Sequence, residues 1–158
     1  MIQSSVKILL QSLEKKNRIL NEMIEQNEAQ AEILKEEVLN MDKLDASIEC
    51  LSAYVTELDK LDQGFETLYE KVRTEMIQDK AKYQIEILQM QQLIQQITDK
   101  IVKLNAGRLR NKMQAENQFK RKQQEIKGAV SKTKVARNYY NSMNKLNYVA
   151  PQFYDNKK

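Results

Sequence analysis

Residues 87–104 read ILQMQQLIQQITDKIVKL. Ile87, Met90, Ile94, Ile97, Ile101 and Leu104 follow one another at alternating steps of three and four. That spacing gathers all six on one stripe of an α-helix, with Gln, Asp and Lys on the rest of its surface. A half-buried strand would alternate at every second residue instead. The stripe has the period of a coiled-coil seam, which must face another helix. It predicts a helix over about residues 80–127.

Two further stripes precede it. Asn17, Leu20, Ile24, Asn27, Ala31, Leu34, Val38 and Met41 step by three and four, and Val6, Leu9 or Leu10, and Leu13 feed the same line. This predicts a first helix over 3–39. Asn17 and Asn27 on the stripe read as residues that fix register or face a gap, with contact to a ligand as the lesser alternative. Leu44, Ile48, Leu51, Val55 and Leu58 continue the pattern, and Phe65, Leu68, Tyr69, Val72 and Met76 resume it. A corner near residue 40 separates the two stretches, with Asn40 or Asp42 as the cap of a helix over 43–77. Gly64 marks a kink or a short break in that helix. Gln78-Asp79-Lys80 marks the next corner, with Asp79 as cap.

Composition agrees. Ala, Leu, Glu, Lys, Arg, Met and Gln fill more than half of the 158 residues, against three Gly and one Pro. Sheets and barrels need many turns and β-branched runs, so those folds are excluded. The expected architecture is all-α: an elongated antiparallel bundle of three long helices in residues 1–135. A C-terminal tail of 136–158 follows.

The chemistry of catalysis is missing from the sequence. There is no His, and Cys50 is the one cysteine. Imidazole carries most acid–base work near neutral pH and most transition-metal sites. Cys50 follows Glu49 and has no cationic neighbour in sequence to activate it. No phosphate loop, dinucleotide turn or nucleophile elbow occurs. The expectation is a protein that is not an enzyme, with no catalytic residue, no cofactor and no metal. A lone thiol fits a reducing compartment. No apolar run nears the roughly 20 residues that span a bilayer, and the N-terminus lacks the pattern of a signal peptide. The cytoplasm is the expected location.

Charge and apolarity both shift along the chain. Residues 1–99 hold 11 Lys/Arg and 19 Asp/Glu, whereas 100–158 hold 15 and 3. Such asymmetry speaks of partners or of self-docking, not of fold. The clean seam ends at Leu104, and its continuation lands on Arg108, Asn111 and Ala115. Leu109, Met113, Phe119, Ile126 and Val130 are what remains apolar, and they are sparse, so this half of the helix reads as helical and short of packing. Gly128 and the run Ser131–Lys134 suggest its end. The last 20 residues carry Tyr139, Tyr140, Tyr148, Phe153 and Tyr154 together with Pro151 and four Asn, and Asn138 precedes them. They read either as an extended tail of aromatic anchors or as a tail folded back on the bundle. The seams end before it, so deletion of 136–158 is expected to leave the bundle intact. Lys120-Arg121-Lys122, with Arg108, Arg110 and Lys112 ahead of it, raises a nucleic-acid role. Few aromatics and no reading-helix motif accompany it, so that role ranks last.

Several segments together resemble the FlgN-type flagellar export chaperones. These are ILLQSLEKKNRILNEM (8–23), LDASIECLSAYVTELDKL (44–61) and LNAGRLRNKM (104–113), where Leu104, Asn105 and Asn111 fall like the family's Leu-Asn…Asn signature. The terminal Tyr154-Asp155 is also similar. The basic stretch 108–134 is stronger than the family pattern. The resemblance implies a cytoplasmic chaperone of type III secretion and flagellum assembly that binds the helical terminus of a hook-associated subunit. Its expected contact residues are Leu104, Asn105, Leu109, Asn111, Met113, Phe119, Tyr139, Tyr140, Phe153 and Tyr154. A structural coiled-coil homodimer is the competing expectation.

Overall fold

A computed structural model describes residues 2–125 and 137–140. Three helices account for most of it: α1 (Ile2–Lys35), α2 (Met41–Gln78) and α3 (Gln84–Glu125). Among the described residues there is no strand, and the all-α bundle is confirmed.

The first corner falls where expected and a little earlier. α1 stops at Lys35 rather than 39, and Val38 points into solvent instead of joining the seam. Asn40 is the cap of α2: its side-chain oxygen accepts from Lys43 N at 3.1 Å. That bond satisfies one of the four amides a helix start leaves without a partner. Asp42 in the first turn faces the positive end of the helix dipole. At the second corner Asp79 ends α2 rather than starting α3. Its N–H donates to Glu75 O at 3.0 Å, and the turn Asp79–Tyr83 precedes α3. Gly64 does not break α2, which runs on through it with open space where a Cβ would stand.

Consecutive helices run antiparallel, so α1 and α3 are parallel. The pairs Lys16–Asp62, Lys15–Glu57 and Gln30–Ser47 show α1 and α2 numbered in opposite directions. Asn17–Gln96, Asn27–Asn111 and Gln118–Leu34 show α1 and α3 in step, 79 to 84 residues apart. α1 is the central helix: α2 and α3 each pack along it, with little backbone approach to each other. Its buried face is therefore wider than one seam. Lys16, Met23 and Gln30 are buried beside Leu20, Asn27 and Leu34, while Asn17, Ile24 and Ala31 sit at the half-buried edge.

α2 presents an unbroken heptad stripe: Leu44, Ile48, Leu51, Val55, Leu58, Asp62, Phe65, Tyr69, Val72 and Met76. Its one polar member is Asp62, which accepts from the buried Lys16 ammonium at 2.7 Å. Burial pushes the Asp62 carboxyl above the usual carboxylate range, and Lys16 offsets part of that rise. An ion pair in a seam costs desolvation, and its best-attested use is to specify register.

Candidate functional site

α3 keeps its heptad register beyond Leu104 but changes what it presents to α1. The inward positions become Arg108, Asn111, Ala115, Gln118 and Lys122. Asn111 is buried, and its Nδ2 donates to Asn27 O at 2.9 Å, Asn27 Oδ1 at 3.0 Å and Gln30 Oε1 at 3.2 Å. Gln118 Nε2 donates to Leu34 O at 3.1 Å and Glu36 O at 3.0 Å. Lys122 Nζ reaches Leu39 O at 3.4 Å. α1 ends here, and its last carbonyls have no partner inside their own helix. Gln118 and Lys122 of α3 serve carbonyls at and just beyond this end, which is why polar side chains suit these inward positions. Gly107 lets the two helices close: a Cβ there would run into Asn27 Nδ2.

The segment 137–140 docks onto the same region as a helical turn. Tyr140 OH donates to Gln30 Oε1 at 2.9 Å, and Arg108 Nη1 donates to Tyr140 O at 2.9 Å. Gln30 also donates to Ser47 Oγ of α2 at 3.1 Å. The tyrosines thus sit where all three helices converge, with rings edge to face at 4.9 Å between centroids. Both are buried, and burial pushes both phenols well above the ordinary tyrosine range. The second reading of the tail, folded back on the bundle, therefore holds for these four residues. Deletion of 136–158 would remove two core side chains, contrary to the expectation from the seams.

The residues expected to contact a partner separate into three groups. Leu104, Asn111, Phe119, Tyr139 and Tyr140 are buried in the chain's own packing, and Asn105 is half-buried. Phe153 and Tyr154 lie outside the described residues. Leu109 and Met113 stand at the surface, 52% and 59% exposed. The expectation of a helix short of packing is corrected accordingly. The inward face of this half is packed through polar groups together with Ala115 and Phe119, and Leu109 and Met113 are exposed on its outward face.

Two residues missed in the sequence complete that outward face. Val102 is 65% exposed and Ala106 is exposed. Val102, Ala106, Leu109 and Met113 step by four, three and four, so they form a second stripe on the side of α3 away from α1. The same arithmetic that found the seam could have found this stripe, had it been applied to both faces. Lys103, Arg110 and Lys112 border it, and none is ion-paired among the described residues. Asp99 and Glu116 occupy the next stripe positions and end the apolar run. The patch offers apolar contact within a positive surround. No group of three or more metal-ligating side chains is found among the described residues. None of the described helices is long and apolar enough to cross a membrane. No protein-family model, curated protein or solved structure matches the chain.

Proposed function

We propose that this chain is a non-enzymatic cytoplasmic chaperone or adaptor. It binds the helical terminus of a secreted flagellar subunit of the hook-associated class and keeps that subunit competent for export. The observation that carries this reading is the outward stripe of α3: Val102, Ala106, Leu109 and Met113 repeat at coiled-coil spacing with no helix of the described chain over them. An amphipathic helix lying on such a stripe buries apolar surface on both partners, at roughly 25 cal/mol per Å² before ordering costs. The stripe spans 11 residue steps, about 16 Å at 1.5 Å per residue. A contact of this size suits a client that is held and then released. The resemblance to FlgN-type chaperones, carried by 8–23, 44–61 and 104–113, supplies the class of client.

The test is a binding titration of the purified chain against a hook-associated subunit with and without its terminal helix. Binding that needs the client helix and falls at least tenfold in Leu109→Ser/Met113→Ser supports the proposal. Both positions are exposed, so the thermal melt of the variant should stay within about 0.5 kcal/mol of the parent's stability. Binding that ignores both changes would sink it.

A further inference from the structure

The docking stripe also specifies the charge of its occupant, an inference that rests on the docking reading above. On a helix with 100° per residue, Val102, Ala106, Leu109 and Met113 cluster around one axis of α3. Lys103 and Arg110 fall on one flank of that axis, Asn105 and Lys112 on the other. These flanks correspond to the positions beside a coiled-coil seam that choose the partner and its direction. Three of the four are cations, none is an anion, and Lys103, Arg110 and Lys112 have no ion-pair partner among the described residues. Lys120, also exposed, extends the positive surround beyond the stripe.

We propose that the occupant is an amphipathic helix of a different protein, with Asp or Glu on both sides of its apolar stripe. A second copy of this chain does not fit. An antiparallel pair of this face would set Lys103 against Arg110, and like charges across a seam are unfavourable. A parallel pair would match Arg110 and Lys112 only with Asn105 and Asn117, so neither arrangement brings a carboxylate to the flanking cations. The acidic α2 of another copy has the right charge, but none of its large apolar side chains is prominently exposed. It would bring charge without apolar cover. The flanking cations therefore favour an acidic helix over a second copy of this patch, which has no carboxylate at its flanks to meet them.

The experiment uses the full chain and two helical peptides with the same leucine stripe, one with Glu and one with Lys at the flanking positions. Fluorescence anisotropy is read at low and moderate salt. The Glu peptide should bind roughly tenfold tighter, the sum of several exposed charge pairs, and the gap should narrow with salt. The triple variant Lys103→Glu/Arg110→Glu/Lys112→Glu should reverse the ranking, with an unchanged circular-dichroism melt. Equal affinity for both peptides, abolished by Leu109→Ser/Met113→Ser, would leave docking intact and overturn the charge inference. Binding of neither peptide would overturn both. A concentration-dependent dimer lost in Leu109→Ser/Met113→Ser would assign the stripe to a second copy. Preferential binding of a DNA duplex, with a slope near −0.9 per phosphate contact in log affinity against log salt, would assign the cations to phosphates.

Discussion

Residues 87–104 and residues 105–122 of α3 lie against the same helix in one heptad register, yet they hold it by opposite means. The first stretch presents Met90, Ile94, Ile97, Ile101 and Leu104 to α1, all buried. The second presents Arg108, Asn111, Gln118 and Lys122, and turns Leu109 and Met113 outward. Apolar burial is strong and undirected; hydrogen bonds are weaker in net terms and strict in geometry. The first half thus supplies cohesion. The second fixes alignment while its Leu109 and Met113 continue outward the stripe that begins at Val102 in the first. A helix can be amphipathic in two senses along its length, provided polar side chains on the inner face find partners.

The largest expected effect lies in the apolar half. Ile97→Asp buries an unpaired charge, at a cost of several kcal/mol against a total stability on the order of 5–15 kcal/mol. The cooperative melt should vanish from circular dichroism; a variant that still melts as one unit would show that the apolar half is not what holds the bundle together.

Next comes the docked tyrosine pair. Tyr140→Ala should cost about 3–4 kcal/mol, as large aromatic truncations do. Tyr140→Phe loses only the bond to Gln30, about 1 kcal/mol. Because the folded phenols titrate above their unfolded value, the folded state keeps protons that the unfolded chain loses above about pH 10. Stability should then fall as pH rises through and beyond that value. The parent should lose more than Tyr140→Phe over the same range, read by urea midpoints; equal losses would mean that Tyr140 is not buried in solution.

Asn111→Ala should cost about 1–3 kcal/mol by leaving the Asn27 acceptors buried without their donor. Hydrogen exchange should lose protection over 105–122 and keep it over 87–104. Uniform loss would erase the distinction between the halves.

The two described glycines give the smallest effects and opposite signs. Gly64→Ala meets open space and should stabilise by about 1 kcal/mol through helix propensity alone. Gly107→Ala gains the same propensity but pushes aside the Asn27 side-chain amide, whose Oδ1 accepts from Asn111, so it should destabilise. A Gly107→Ala chain as stable as Gly64→Ala would show that the helices have slack at this crossing.

The three helices, the corner at 40 and the α3 seam were legible because apolar periodicity and capping chemistry are local properties. Tyr139 and Tyr140 were visible as anchors, but not what they anchor to, since nothing local tells Gln30 apart from a partner's side chain. The α1 stripe was placed one residue off at Asn17, Ile24 and Ala31. Buried Lys16 and Gln30 break the apolar pattern there, and a helix packed on two sides has no single seam. Arg108, Asn111 and Gln118 read as a loss of packing for the same reason: polar letters carry no sign of a partner 81 to 84 residues upstream, for Asn111 and Gln118, or 32 residues downstream, for Arg108.

That separation bears on the order in which the chain assembles. The α1–α2 hairpin closes loops as short as the 17 residues between Gln30 and Ser47, whereas α1–α3 pairing closes loops of about 80. Two doublings of loop length cost about 1.2 kcal/mol more in chain entropy, at roughly 0.6 kcal/mol each. The hairpin should form early and α3 should zip onto it late, with its register decided by Asn27 and Asn111 meeting above Gly107. The outward stripe of α3 would then become a finished surface at the last step of folding, so its availability doubles as a report that the rest of the molecule is in place.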